Sequence, residues 1–349
     1  VASGNRPKAR DLLLTPTNAR RLTKQLAEMR GAAMKLGQIF SMDTGDLLPR
    51  ELADILATLR DAGYAMPDAQ LREVLSDAFG TDFEHKLHDF EFQPFAAASI
   101  GQVHRLTTKK GRAAVLKVQY PGVRESIDSD VDNLATLLRV SGLLPKHIEI
   151  APLLAEVKAQ LREEADYEQE ARYLNAFVRA LGDDERFLLP RVIPGLSSSR
   201  VLGMTYVPGV PIEDVIHENQ EERNRVMSLL FELLLIEMFE LRLVQTDPNF
   251  ANYRYDPESG QVVLLDFGAS RRFKAAFTGA YLDLLKAVVV NNQDAMAEAA
   301  NRIGYKLGTE PTPYRETILQ LATVALARLG RDEPYDFGAS ELPKQAVAM

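Results

Sequence analysis

The chain has 349 residues, 46% hydrophobic and 26% charged, a globular composition long enough to bury a sizeable core. A formal net charge of −8 weighs against a nucleic-acid partner. Cysteine is absent, which excludes disulfides and thiolate metal sites and fits a reducing compartment.

Residues 1–90 read as helical. Arg6, Lys8, Arg10, Arg20, Arg21, Lys24 and Arg30 face only Asp11 and Glu28. That is a solvated helix face or a basic surface for an anionic membrane or partner protein. Thr15–Met42 forms one amphipathic pattern, with a bend expected near Gly31 or Gly37. Leu48–Asp61 is a second helix with Pro49 in its first turn, and Met66–Gly80 a third, opened by Pro67-Asp68 and closed by Gly80.

The pattern changes at residue 90. Phe90–Gly122 carries β-branched runs around a Lys109-Lys110-Gly111 turn, a β-hairpin signal. Helical text returns at about 122–140 and 151–180, then short strands at Phe187–Gly195 and Ser198–Gly209. Residues 219–243 read as helical. The apolar stretch Leu229–Val244 is interrupted by Glu232, Glu237 and Glu240 and reads as a buried helix, not a membrane span. Gln245–Gly268 is a loop, a turn and a strand running into Asp266. Mainly helical text follows.

The domain organisation expected is a helical extension over 1–90, a β-rich N-lobe with inserted helices over 91–207, a helical C-lobe over 208–330 and an irregular tail over 331–349. No signal peptide is read, and the expected location is cytoplasmic or peripheral on the inner face of a membrane.

The chemistry begins at Leu264-Leu265-Asp266-Phe267-Gly268. A carboxylate at the end of an apolar strand is held rigidly at a cleft, and Gly268 lets the backbone turn beside it. In a kinase-like site this aspartate holds Mg²⁺ against nucleotide phosphates. Upstream, Asp247 and Asn252 are five residues apart, the interval of the kinase catalytic loop. One carboxylate there meets the attacking hydroxyl or water, and the amide helps hold the metal. An Asx-rich turn explains Asp247-Pro248-Asn249 equally well in isolation. Asp266, 19 residues later, favours the catalytic reading.

Lys117 interrupts the apolar run Ala114-Val115-Leu116-Lys117, where an unpaired ammonium costs desolvation. The run matches V-A-I-K, whose lysine pairs the α- and β-phosphates. An edge-strand lysine that snorkels is the alternative. The loop before it overlays G-x-G-x-x-G-x-V as Ala96, Ala98, Gly101 and Val103, with Ala97 and Ser99 between. Alanines still permit close approach while restricting the backbone. For the acidic partner of Lys117, residues 163–170 offer Glu163, Glu164, Asp166, Glu168 and Glu170; Glu170 precedes the apolar positions Tyr173, Leu174 and Phe177 and is the choice. Met204 and Val207, in the apolar strand leading to Pro208-Gly209, read as an interlobe hinge whose backbone meets adenine.

Together, Lys35-Leu36-Gly37-Gln38, the Ala-rich loop Pro94–His104, Glu164-Ala165-Asp166 and the Asp266-Phe267-Gly268 triplet resemble the UbiB/ADCK family of atypical kinase-like proteins. The resemblance covers roughly residues 30–275. It implies an α+β, protein-kinase-like two-lobed fold with an N-terminal helical extension and inserted helices in the N-lobe. It implies Mg²⁺ with ATP or ADP as the bound species. Lys117 then contacts phosphates and pairs with Glu170, Asp247 is catalytic, and Asn252 and Asp266 are metal ligands. Lys35 and Gln38 belong to a helix over the cleft, and Lys35 approaches the catalytic loop and the Glu164 and Asp166 acids. The implied chemistry is that of an ATPase or atypical kinase acting on water, a small molecule or a lipid. A lipid, a prenyl-quinone precursor, a membrane surface or a biosynthetic protein complex is the implied partner. A nucleotide-binding regulatory pseudokinase is the alternative.

The family's usual H-A-D-P-H-P-G-N is here Gln245-Thr246-Asp247-Pro248-Asn249-Phe250-Ala251-Asn252, without either histidine. That bears on turnover more than on nucleotide binding. After Gly268 the text turns helical almost at once, with no long activation segment and no A-P-E anchor, which disfavours peptide substrates.

Overall fold

The computed structural model describes Lys35, residues 65–141, 150–247, 249–308 and 312–326, and several residues between 333 and 341. The two helices expected before residue 65 (Lys35 apart), Gln38 and most of the tail lie outside the described residues. The described residues divide into two compact units. One takes those up to His217 together with Asp247–Ala269; the other takes Glu218–Thr246 and those from Ser270 onward.

The first unit opens with α1 (Asp68–Phe79), which ends at Gly80 with φ +90°. Its apolar residues recur at helical spacing, so Leu71, Val74 and Leu75 share one buried face. They pack with Leu106, Leu116, Val118 and Val201 of the sheet that follows. That sheet is antiparallel, in the order β1 (Ala96–Ala98), β2 (Gly101–Thr107), β3 (Ala113–Gln119), β5 (Val201–Thr205). β3 is central, and Ala114, Val115, Leu116 and Val118 are all buried around Lys117.

Three helices are inserted after β3: α2 (Val123–Ser141), α3 (Ile150–Glu164) and α4 (Tyr167–Leu181). The sequence reads as one helical run over 151–180, but the structure breaks it after Glu164. The physical reason is a cap: the Asp166 side chain accepts a hydrogen bond from the Gln169 amide at 2.8 Å, starting a new helix.

A second sheet has the order β4 (Phe187–Leu188), β9 (Gln261–Leu264), β8 (Tyr253–Asp256), β6 (Val210–Pro211). The β8–β9 hairpin is antiparallel and turns at Gly260, where φ is +71°. It leaves Asp266 two residues past the end of β9.

The second unit begins with α5 (Gln220–Leu235), capped by Asn219, whose side chain accepts from the Glu222 amide at 3.0 Å. It continues into a π-helical turn, Ile236–Leu241, and stops at Arg242 with φ +51°. β7 (Leu243–Gln245) then pairs antiparallel with β10 (Ser270–Arg272). α6 (Ala275–Val289), α7 (Gln293–Ile303) and α8 (Pro313–Leu326) complete the unit around Leu284, Val288, Met296 and Leu319.

The apolar stretch Leu229–Val244 is not one buried helix. Its C-terminal end is the strand β7, and in α5 Leu229 and Leu233 are buried while Phe231 and Leu234 are 43% and 48% exposed. A helix packed on one side covers only the stripe at three- and four-residue spacing. Among the described residues, no helix is long and apolar enough to cross a membrane.

Candidate functional site

The first unit contains a cavity of about 400 Å³. Ala96, Ala97, Ala98, Ser99 and Val103 come to it from the first hairpin, and Lys117 and Val115 from β3. Met204 and Val207 come from the segment after β5 begins, and Asp247, Asn252 and Asp266 from the loops around the β8–β9 hairpin. Glu164 also reaches the wall. Gly101, Asp166 and Glu170 stand outside it.

Lys117 is held from behind. Its ammonium donates to both carboxylate oxygens of Glu170, at 2.8 and 2.9 Å. Glu170 lies in the first turn of α4 and is 1% exposed. Burial opposes the charge on Lys117, but the carboxylates of Asp266 and Glu170 outweigh it and hold the ammonium above the ordinary lysine range. The side chain therefore stays a cation in an apolar strand. Asp266 Oδ2 lies 3.9 Å from the same ammonium, and Asp266 Oδ1 accepts from the Gly268 amide at 2.8 Å.

The loop carrying Asp247 is braced locally. Asn249 Oδ1 accepts from the Ala251 amide at 3.0 Å, and Asn252 Nδ2 donates to the Asp247 carbonyl at 3.0 Å. The Asn252 carbonyl accepts from the Leu265 amide at 3.0 Å, tying this loop to the residue before Asp266. The Asx turn and the kinase-like spacing thus coexist in the same residues.

Lys35 is 3% exposed and places its ammonium 2.7 Å from Glu164 Oε1 and 3.2 Å from Asp247 Oδ2. Burial disfavours that charge, but the two carboxylates win and raise its pKa. Ser99 Oγ donates to the other oxygen of Glu164 at 2.5 Å. One polar chain thereby runs from the Ala-rich turn through Glu164 and Lys35 to Asp247. Asp166 takes no part in it and serves as the α4 cap.

Gly101 has a packing reason to be glycine. A Cβ there would lie 2.3 Å from the Val118 carbonyl oxygen and 3.0 Å from the Tyr167 hydroxyl. Tyr167 itself was not singled out in the sequence: its ring lies 5.1 Å from the Lys117 ammonium, and its buried hydroxyl makes no hydrogen bond among the described residues. Arg105 was missed too. Its guanidinium sits 3.8 Å from the Phe95 ring and 5.1 Å from the Tyr206 ring, both on the cavity wall. Arg254, another wall residue, donates to the Gly209 carbonyl at 2.8 Å.

A buried lysine–glutamate pair behind an Ala-rich hairpin, facing an Asp-Phe-Gly turn and an Asp-x-x-x-x-Asn loop, defines a protein-kinase-like domain of mixed α and β structure. Comparison with known proteins is more specific. A model of the ABC1 atypical kinase-like domain matches residues 58–300, and the chain belongs to that family, the one its UbiB/ADCK motifs resemble. The chain is 37% identical to the mitochondrial atypical kinase COQ8B of Rattus norvegicus over 95% of its own length and 63% of that protein's. It is 38% identical to the mitochondrial atypical kinase COQ8 of Saccharomyces cerevisiae over 90% of its own length and 63% of that protein's. The chain thus spans less than two thirds of the length of these relatives. A solved Mycobacterium tuberculosis structure, the Rv3197–erythromycin complex, shares the fold with a TM-score of 0.60 at 24% identity. It covers 97% of this chain, and the match takes in 91% of that one.

Proposed function

We propose that this chain binds ATP or ADP with Mg²⁺ and acts as an ATPase or atypical kinase on water, a small molecule or a lipid. The observation that carries the reading is the convergence of Lys117, Asp247, Asn252 and Asp266 on one cavity, with Lys117 fixed by buried Glu170. The protein donors available for a metal are the Asp266 carboxylate and the Asn252 amide, hard oxygen groups that suit Mg²⁺ shared with phosphates and water. Bound Mg²⁺ would supply charge neutralisation at the phosphates. Lys117 would donate to phosphate oxygens, and Glu170 keeps it charged and aimed. Asp247 would orient the attacking oxygen and accept its proton. The family resemblance supports a link to quinone or prenyl-lipid metabolism, with a lipid, membrane surface or biosynthetic complex as partner.

A second reading, a regulatory pseudokinase, is favoured by Lys35, which occupies the carboxylate that would serve the acceptor. Calorimetric titration of ADP and ATP, with and without Mg²⁺, tests nucleotide binding in wild type and D266N. Metal-dependent binding lost in D266N is the expected result; no binding by folded wild type overturns the proposal. Turnover that disappears in D247N selects the enzyme. Binding without Asp247-dependent turnover selects the regulator.

A further inference from the structure

Arg254 is the feature of the cavity that the nucleotide-site motifs leave unexplained. Only two cations stand among the described residues of its wall, Lys117 and Arg254. Lys117 is committed bidentately to Glu170. Among the described residues, Arg254 donates to one backbone carbonyl, that of Gly209, reached by Nη1 at 2.8 Å. A guanidinium carries five N–H donors in a planar fork, so one carbonyl leaves most of them for other acceptors.

The position of Arg254 says which part of a ligand it meets. Asn252, on the phosphate side of the site, ends the short 3-10 turn Phe250–Asn252 that leads straight into β8, and Arg254 is the second residue of that strand. Gly209, which anchors the guanidinium, follows Val207 and Pro208 at the end of the hinge segment. Tyr255, the next residue of β8, is buried, so strand alternation turns Arg254 to the opposite face. Arg254 is therefore bracketed between the group that meets phosphates and the wall that meets a base. In any nucleotide the sugar spans that interval.

We propose that Arg254 donates hydrogen bonds to the ribose hydroxyls of the bound nucleotide and selects ribonucleotides over nucleotides lacking the diol. The inference rests on the nucleotide-binding reading above. The Gly209 carbonyl fixes the guanidinium, so the selecting donors are held before the ligand arrives. A residue that only tied β8 to the hinge would affect every ligand alike. A donor to the sugar affects only ligands that carry the hydroxyls.

The test is titration of the full chain with ADP and with 2′,3′-dideoxy-ADP, both with Mg²⁺, in wild type and R254M. Methionine keeps the apolar stem and removes the donors. Wild type is expected to prefer ADP by about tenfold, the scale of one hydrogen bond to a charged group. R254M is expected to lose that preference through weaker ADP binding, with dideoxy-ADP binding nearly unchanged. Should R254M not fold, R254L, which also lacks donors, gives the same comparison. An ADP preference retained in the variant, or equal loss for both ligands, overturns the assignment while leaving the nucleotide site standing. Wild type that binds neither ligand overturns both readings.

Discussion

Lys35 and Asp247 are 212 residues apart in the chain, yet the ammonium of one lies 3.2 Å from the carboxylate of the other. The same ammonium holds Glu164 at 2.7 Å, which in turn accepts from Ser99 of the Ala-rich turn. The residue proposed to orient an acceptor is thus neutralised by a residue from the N-terminal segment. Releasing it should alter the chemistry of the site before it alters the fold.

K35A is expected to remain folded and to raise Asp247-dependent turnover severalfold or shift the balance between ADP and ATP binding. Glu164 and Asp247 are 13% and 20% exposed at the side chain, so water can take over part of the solvation that Lys35 supplies. Turnover assays and paired nucleotide titrations measure this. Folded K35A with unchanged binding and turnover would remove Lys35 from any regulatory role.

The Lys117–Glu170 pair should behave as a unit. Glu170 is 1% exposed, and E170A leaves a buried ammonium without its main partner. A loss of roughly 3–5 kcal/mol is expected, the usual cost of breaking a buried pair from one side. K117M/E170M, which removes both charges, should recover much of that stability while nucleotide binding stays lost. Denaturant titrations decide the matter: E170A as stable as wild type would mean that the pair adds nothing to the fold.

G101A tests the close approach of β2 to β3. The added methyl group would meet the Val118 carbonyl oxygen at 2.3 Å, and backbone cannot swing aside as a side-chain tip can. A destabilisation of about 3 kcal/mol is expected, at the upper end of ordinary overpacking. A melting temperature matching wild type would show that the hairpin relaxes freely at this point.

Glu237 predicts a pH dependence. It lies in the π-helical turn before β7 and is 4% exposed, with Oε2 accepting from the Gln245 amide at 3.0 Å. Burial pushes its carboxyl up to about 7, against the opposing effect of that hydrogen bond. The folded state then binds the proton more tightly than the unfolded chain, whose glutamate titrates near 4.5. Its contribution to stability is full below 4.5 and is lost as pH rises through about 7. E237Q lacks this titration. Its stability relative to wild type should grow from pH 4.5 to pH 8 by on the order of 3 kcal/mol. Urea midpoints at several pH values measure the difference, and a pH-independent offset would contradict the assignment.

Much of the site's composition was legible in local patterns. Lysine inside an apolar strand announced a need for pairing, and Lys117 has a buried carboxylate. The interval between Asp247 and Asn252 and the apolar run before Asp266 located the two loops that the structure brings to one cavity. Other residues gave no such signal. Gly101 fits a phosphate-loop register, but its contact with Val118 belongs to the pairing of β2 with β3. Arg105 and Arg254 carry no mark in the sequence, because Phe95, Tyr206 and Gly209 come beside them only in the fold.

The acids of residues 163–170 mark where sequence information ends. By itself the sequence determined that a buried cation required a carboxylate and that five acids stood near the right place. Only the tertiary structure decided their division of labour. The helix break after Glu164 leaves Glu164 at the end of α3 toward Lys35 and Ser99, turns Asp166 into a cap, and sends Glu170 from the first turn of α4 to Lys117. Carboxylates a few residues apart are chemically equivalent along the chain. What distinguishes them is the direction each side chain takes where one helix stops and the next begins, and that direction is set by packing against strands far away in sequence.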